Sequence, residues 1–198
     1  SKLKNITPEQ LNNISKSIGE AFVTNEMFRN WGSIEERHDD VITYMSIYVD
    51  YVYHAGELFS NEDMTGFIGL EDTVRKPILL RFKMLFRMIR RLRFSRIRSL
   101  VEFVKQIDKA DDLFANRRHI ETLMVCVDKK HQGKGIASEL VNYAKRKAKI
   151  EDIPLLFHTD MDAYAEMYKH LGCKVYNKVT ADNGVTRYCL CYNVGKRS

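Results

Sequence analysis

Residues 119–148 read HIETLMVCVDKKHQGKGIASELVNYAKRKA, and this stretch decides the fold. A near-continuous apolar run gives way at Asp128 to a short charged turn with two glycines, and an amphipathic helical pattern follows at once. The spacing predicts a strand, a tight loop and a helix, with Gly133 and Gly135 where the helix begins. The first backbone N–H groups of a helix have no intrahelical partner, so they form a natural anion site. Glycines there let a phosphate come close to the backbone. The loop is therefore expected to hold a pyrophosphate.

Three phosphate loops can be compared with it. A Walker A loop needs a glycine five residues before its Gly-Lys pair and a Ser or Thr after it. Here position 128 is Asp and Gly133-Lys134 is followed by Gly135, which excludes that loop. A dinucleotide fingerprint needs G-x-G-x-x-G, and Gly133 to Ser138 supplies only its first half. The third comparison fits: Gln132-Gly133-Lys134-Gly135-Ile136-Ala137 matches Q/R-x-x-G-x-G/A, and so resembles the acyl-CoA pyrophosphate loop of the GNAT superfamily of N-acetyltransferases. Downstream, Ala165 to Gly172 resembles the family's A-x-x-x-Y-x-x-x-G-F element, with Cys173 in place of the Phe. The clear resemblance covers about His119 to Tyr192, and the first 118 residues match in element order only.

The resemblance implies a GNAT (acyl-CoA N-acyltransferase) α/β fold, a mixed and mostly antiparallel sheet flanked by helices. It also implies acetyl-CoA as co-substrate, with no metal. The strand over His119–Asp128 would splay from a strand over Pro154–Thr159, and pantetheine would fill the gap like an added strand. The implied donor-binding residues are Val125, Cys126, Val127, Gln132, Gly133, Lys134, Gly135, Ile136, Ala137 and Ser138. Tyr168 matches the family's general acid. Glu121, eleven residues before Gln132, matches the glutamate that serves as base in some histone-type members. His158 on the neighbouring strand is a second candidate base, since imidazole titrates near neutral pH. Bland readings stand beside these: Tyr164 and Tyr168 share a helical face suited to core packing, Glu121 could pair with an Arg, and His131 reads as a solvated turn residue. The family often has an Asn seven residues before the Tyr, where this chain has Met161.

Size and composition agree with one domain over residues 1–198. The chain is 44% hydrophobic and 29% charged, ordinary for a globular protein. Cys126, Cys173, Cys189 and Cys191 have no metal-ligand spacing, and they read as reduced thiols in a cytoplasmic protein. The sequence SKLKNITPEQ lacks the apolar core of a signal peptide, and no apolar run approaches the ~20 residues of a membrane span.

Ahead of the decisive stretch, Leu3 to Ile6 suggests a short first strand. Thr7-Pro8-Glu9-Gln10 then starts a helix, and a second helix carries Val41, Met45, Tyr48, Val49 and Val52 on one face and ends at Gly56. A hairpin follows, turning at Asn61-Glu62-Asp63. Counting Leu3–Ile6 as a strand, a helical insertion over about residues 75–115 falls between the third and fourth strands. That order resembles the branch that includes puromycin N-acetyltransferase, in which the insertion helps cover the acceptor site. A second hairpin turns at Asn183-Gly184 near the other end.

The net charge of +6 is concentrated in the insertion, because residues 74–101 contain no Asp or Glu and many Lys and Arg. Two classes of function follow. The first is an N-acetyltransferase acting on a primary amine of a small molecule or peptide, in a ternary complex. The second is a binding module that docks nucleic acid or a protein through the basic helices. The expected role of those helices is to cap the sheet with solvated Arg and Lys, without a nucleic-acid or membrane partner. Leu79, Phe82, Leu85, Phe86 and Ile89 form a sticky face on them that also suits a homodimer.

Overall fold

In the computed structural model, residues 1–75, 77–108, 113–114 and 116–192 are described. Lys76, residues 109–112 and Ala115, all within the expected insertion, lie outside them. Helix α1 (Pro8–Phe22) starts at a complete capping box, with Thr7 accepting from the Gln10 N–H and Gln10 accepting from the Thr7 N–H. Helix α2 (Ile34–His54) starts the same way at Ser33 and Glu36. Such caps satisfy otherwise orphaned donors and each contribute about 1 kcal/mol. Between them one tight turn, Glu26–Trp31, buries Phe28 and Trp31.

Strands β1 (Leu58–Ser60) and β2 (Gly66–Asp72) form the expected hairpin. Helices α3 (Ile78–Arg91) and α4 (Phe94–Ile107) make up the described insertion. Then come β3 (Ile120–Val127), α5 (Ile136–Glu151), β4 (Leu155–Thr159), α6 (Asp162–His170), β5 (Lys174–Thr180) and β6 (Thr186–Tyr192). The six strands form one sheet in the order β1-β2-β3-β4-β6-β5, antiparallel except for β3 against β4. Among the described residues, no helix is long and apolar enough to cross a membrane.

The count of strands differs from expectation at the start. Leu3 to Ile6 forms no strand: Lys2 makes one bridge to Phe59, and the Leu3 N–H donates to the Leu58 carbonyl. Asn5 has a positive φ of 57°, so the chain turns away instead of continuing along β1. The insertion therefore lies between the second and third strands of the sheet.

One face of the sheet packs on α1 and α2 through Phe67, Met124 and Cys126. The other packs on α5 and α6 through Ile68, Leu70, Ile120, Leu155 and Phe157. Glycines set the closeness of these layers. A Cβ at Gly66 would lie 2.5 Å from the Ile136 side chain, so only glycine there lets the first turn of α5 sit against β2.

Candidate active site

Strands β3 and β4 pair at Ile120↔Leu155, Glu121↔Leu156 and Thr122↔Phe157, and then part. Beyond Thr122, β3 stays paired with β2 while β4 follows β6. A β-bulge explains the parting. In the β2–β3 ladder Gly69 faces Met124 but Leu70 faces Thr122, so Leu123 is the extra residue. A bulge bends its strand and reverses which side each following residue presents.

The hydrogen bonds record that reversal. Ile120 N–H donates to Pro154 on the β4 side at 2.8 Å, whereas Asp128 N–H donates to Thr65 on the β2 side at 2.8 Å. By strand alternation, Val125 and Val127 then turn their backbone groups into the gap. Cys126, grouped with them by resemblance, turns its backbone toward Phe67 of β2, and the residue lines the second cavity described below. Thr122 Oγ1, at the last paired position, is buried without a hydrogen-bond partner among the described residues.

At the end of β3 the loop carries the features of an anion cradle. Gly133 and Gly135 have φ of 76° and 82°, in the left-handed region that favours glycine. A Cβ at either would meet nothing within 4 Å, so the space in front of the loop is open. Helix α5 has Gly135 as its N-cap and no side-chain cap, which leaves its first N–H groups turned outward. Gln132 Nε2 donates to the Val127 carbonyl at 3.2 Å and ties the loop to the strand end.

A cavity of about 320 Å³ extends from this loop. Val125, Val127, Gln132, Gly133, Gly135, Ile136, Ala137 and Ser138 line it, together with Tyr164, Met167 and Tyr168. Lys134, expected with these residues, is exposed and does not line it. His131 lines it as well, with Nδ1 buried and 3.5 Å from Asp128, so it is more than a solvated turn residue.

On the opposite face of the sheet a second cavity, of about 400 Å³, is walled by Phe22, Met27, Tyr44, Met45, Tyr48 and Val104. It is floored by β3 and β4 from Glu121 to Val127 and from His158 to Asp160. Val125, Val127, Gln132, Tyr164 and Tyr168 line both cavities, so the two meet at the strand gap.

Polar groups converge there from both sides. Tyr168 is 5% exposed, stacks on Phe157 at 4.5 Å between ring centroids, and lies on the α5–α6 side. Burial pushes its hydroxyl well above the ordinary tyrosine range, so it holds its proton at neutral pH. Glu121 lies on the α2 side, with Oε1 3.8 Å from Nδ1 of His158, and His158 Nε2 is 3.2 Å from the Tyr176 hydroxyl. Glu121 has Glu71 directly opposite on β2, where Arg81 of α3 and the Tyr51 hydroxyl bind the Glu71 carboxylate. Loss of solvation among the surrounding side chains raises Tyr48 well above its usual range and pushes Tyr44 up to about 12.

The structure thus brings Glu121, His158 and Tyr168 to one place from three separate elements. The sequence did not single out the aromatic wall, because Tyr44 and Tyr48 repeat at the spacing of an ordinary core face. The ion pair of Arg187 with Asp160, which also borders the second cavity, joins residues 27 apart and left no local signal. Met161 caps α6 without any side-chain hydrogen bond, as its apolar side chain requires.

Comparisons with known proteins agree with this geometry. The acetyltransferase (GNAT) domain family matches residues 99–174 by sequence. No curated protein matches the chain. A protein of Corynebacterium glutamicum described as histone acetyltransferase HPA2 and related acetyltransferase shares the fold with a TM-score of 0.63 at 15% identity, over 98% of this chain and 95% of that one. Arylalkylamine N-acetyltransferase 2 of Aedes aegypti gives 0.60 at 14% identity, over 96% and 97%. A NatC complex bound to Gag peptide and CoA contains a chain that gives 0.54 at 14% identity, over 98% and 96%. The family match covers the loop and its flanking elements, and the likeness to these solved acetyltransferases shows that the whole chain shares their fold.

Proposed function

We propose that the protein transfers an acetyl group from acetyl-CoA to the primary amine of a small molecule or peptide, by direct attack with both substrates bound. The observation that carries this is the meeting of two cavities, one on each face of the sheet, at the gap between β3 and β4. One runs from an open glycine loop at a helix start and suits the donor. The other has aromatic walls and a carboxylate and suits an amine. Structural relatives are named for arylalkylamines and for a peptide, and both present amines.

The donor fits the residues present. Val125 and Val127 would offer backbone groups along the gap, and residues 132–138 would hold the pyrophosphate on the N–H groups and dipole of α5. When bound, acetyl-CoA supplies an acetyl group activated as a thioester. The chain's own residues manage the protons. A free alkylamine has a pKa near ~10.4 and arrives mostly protonated, so it must lose a proton before it can attack. Glu121 accepts that proton, directly or through water, with His158 beside it to carry the proton onward. Tyr168, kept neutral by burial, gives its proton to the departing thiolate. The stack on Phe157 fixes its ring for that transfer.

Thermal denaturation with CoA and acetyl-CoA tests the donor site. Saturating CoA is expected to raise Tm by several degrees, and Gly135→Val is expected to remove that rise while the variant still melts cooperatively. No shift in the wild type at saturation overturns the proposal.

A further inference from the structure

Helix α3 is apolar on two opposite sides. Its inner side, Leu80, Met84 and Met88, packs into the core formed by α1 and α2. Its outer side presents Ile78, Leu79, Phe82, Leu85, Phe86 and Ile89 to solvent, with Leu79 85% exposed, and Phe94 at the start of α4 is 79% exposed beside them. A solvated capping helix has no use for such a face.

The charge around it has been sorted by the fold. Arg81 binds Glu71, Arg87 binds Asp50 and Arg96 binds Asp40, so these cations turn inward to carboxylates of the body. Arg98 is satisfied by Glu102 on its own helix. Lys83, Arg90, Arg91 and Arg93 make no ion pair among the described residues and remain exposed. Arg90 lies over the Phe86 ring at 5.6 Å and so borders the apolar face directly. Residues 74–101 contain no acidic side chain to answer them.

We infer that α3 and the start of α4 dock this protein peripherally on an anionic lipid bilayer. The apolar residues would enter the headgroup boundary, and Lys83, Arg90, Arg91 and Arg93 would meet lipid phosphates and carboxylates. Charge complementarity decides among occupants. A second copy would bring two uncompensated basic rims together with no carboxylate between them, which costs association. A nucleic acid would answer the cations but leave seven exposed apolar side chains without a partner. An anionic membrane surface answers both. The inference is independent of the acceptor and of the catalytic residues.

Flotation with phosphatidylcholine vesicles, with and without phosphatidylserine, tests it on the whole chain. Each Lys or Arg near an anionic surface strengthens binding roughly five-fold, so four are expected to favour the anionic vesicles by on the order of 10²–10³ at low salt. Binding is expected to weaken as salt rises. The triple variants Phe82→Ser/Phe86→Ser/Ile89→Ser and Arg90→Gln/Arg91→Gln/Arg93→Gln should each lose at least about ten-fold in binding. Their melting temperatures and acetyl transfer should be unchanged, because these side chains are exposed and remote from the cavities. Three results would each overturn the inference: equal binding to both vesicle types, binding that survives the apolar substitutions, or a dimer in sedimentation that those substitutions dissociate while vesicles are ignored.

Discussion

The Glu121 carboxylate, at a paired position of β3, and the His158 imidazole, at the first position of β4 beyond the pairing, stand 3.8 Å apart. Two strands that belong to one sheet thus present a carboxylate and an imidazole to the same opening. Glu121 is free for this because the carboxylate opposite it, Glu71, is the one held by Arg81 and Tyr51. Glu121→Gln keeps shape and removes the basic oxygen. Its kcat is expected to fall about 10²-fold, within the usual range for a lost general base, while the KM for acetyl-CoA stays within about two-fold. Steady-state kinetics check this, and a matching rise in that KM would point to a binding role.

Tyr168→Phe separates acid from packing. The ring still stacks on Phe157, so Tm is expected to change little, while kcat falls roughly 10- to 100-fold. Burial disfavours the phenolate and raises the pKa, so the hydroxyl stays protonated up to and beyond the ordinary tyrosine value of ~10. The wild-type rate profile is therefore expected to show no fall from Tyr168 below about pH 10, and the variant should keep its shape on a lower plateau. An alkaline limb that disappears in Tyr168→Phe contradicts the assignment.

Cys126, beside the gap in sequence, is expected to be inert. Burial pushes its thiol up to about 12, because the thiolate is the form that loses solvation. At pH 8 it is thus almost wholly protonated, and alkylation in the native protein should run at least about 10²-fold slower than after unfolding. Mass spectrometry of iodoacetamide-treated protein measures both rates.

Arg81→Met is expected to destabilise the fold, since Glu71 is 3% exposed and would lose its cation while keeping the Tyr51 hydroxyl. Arg81 itself is partly solvated, so the cost is about 2 kcal/mol, or a fall in Tm of roughly 4–8 °C. Adding Glu71→Gln to that variant removes the stranded charge and should recover part of the loss.

Much of the fold was legible because it is written locally. Thr7 with Gln10 announces α1, Asn183-Gly184 announces the β5–β6 turn, and Gly133 and Gly135 mark the start of α5. The glycine loop and the first cavity beside it follow from the same stretch. The bulge at Leu123 was not legible: the run Leu123 to Val127 is apolar throughout, so one extra residue leaves no break in the pattern. The aromatic wall of the second cavity was missed for a related reason. Tyr44 and Tyr48 show the helical repeat of any buried face, and only the splayed strands beneath them turn that face into a cavity wall. Leu3 to Ile6 had strand composition, but β1 is three residues long and offers little edge to extend.

The proposed acetyl transfer takes place where the two cavities meet. It is tested most directly by thiol release from acetyl-CoA across a panel of polyamines, aminoglycosides, arylalkylamines and peptides with free N-termini. At least one amine is expected to raise thiol release well above the amine-free rate, with a matching acetylated product, and Glu121→Gln should suppress that rise. Binding of acetyl-CoA with no amine-dependent release across the whole panel would contradict the account.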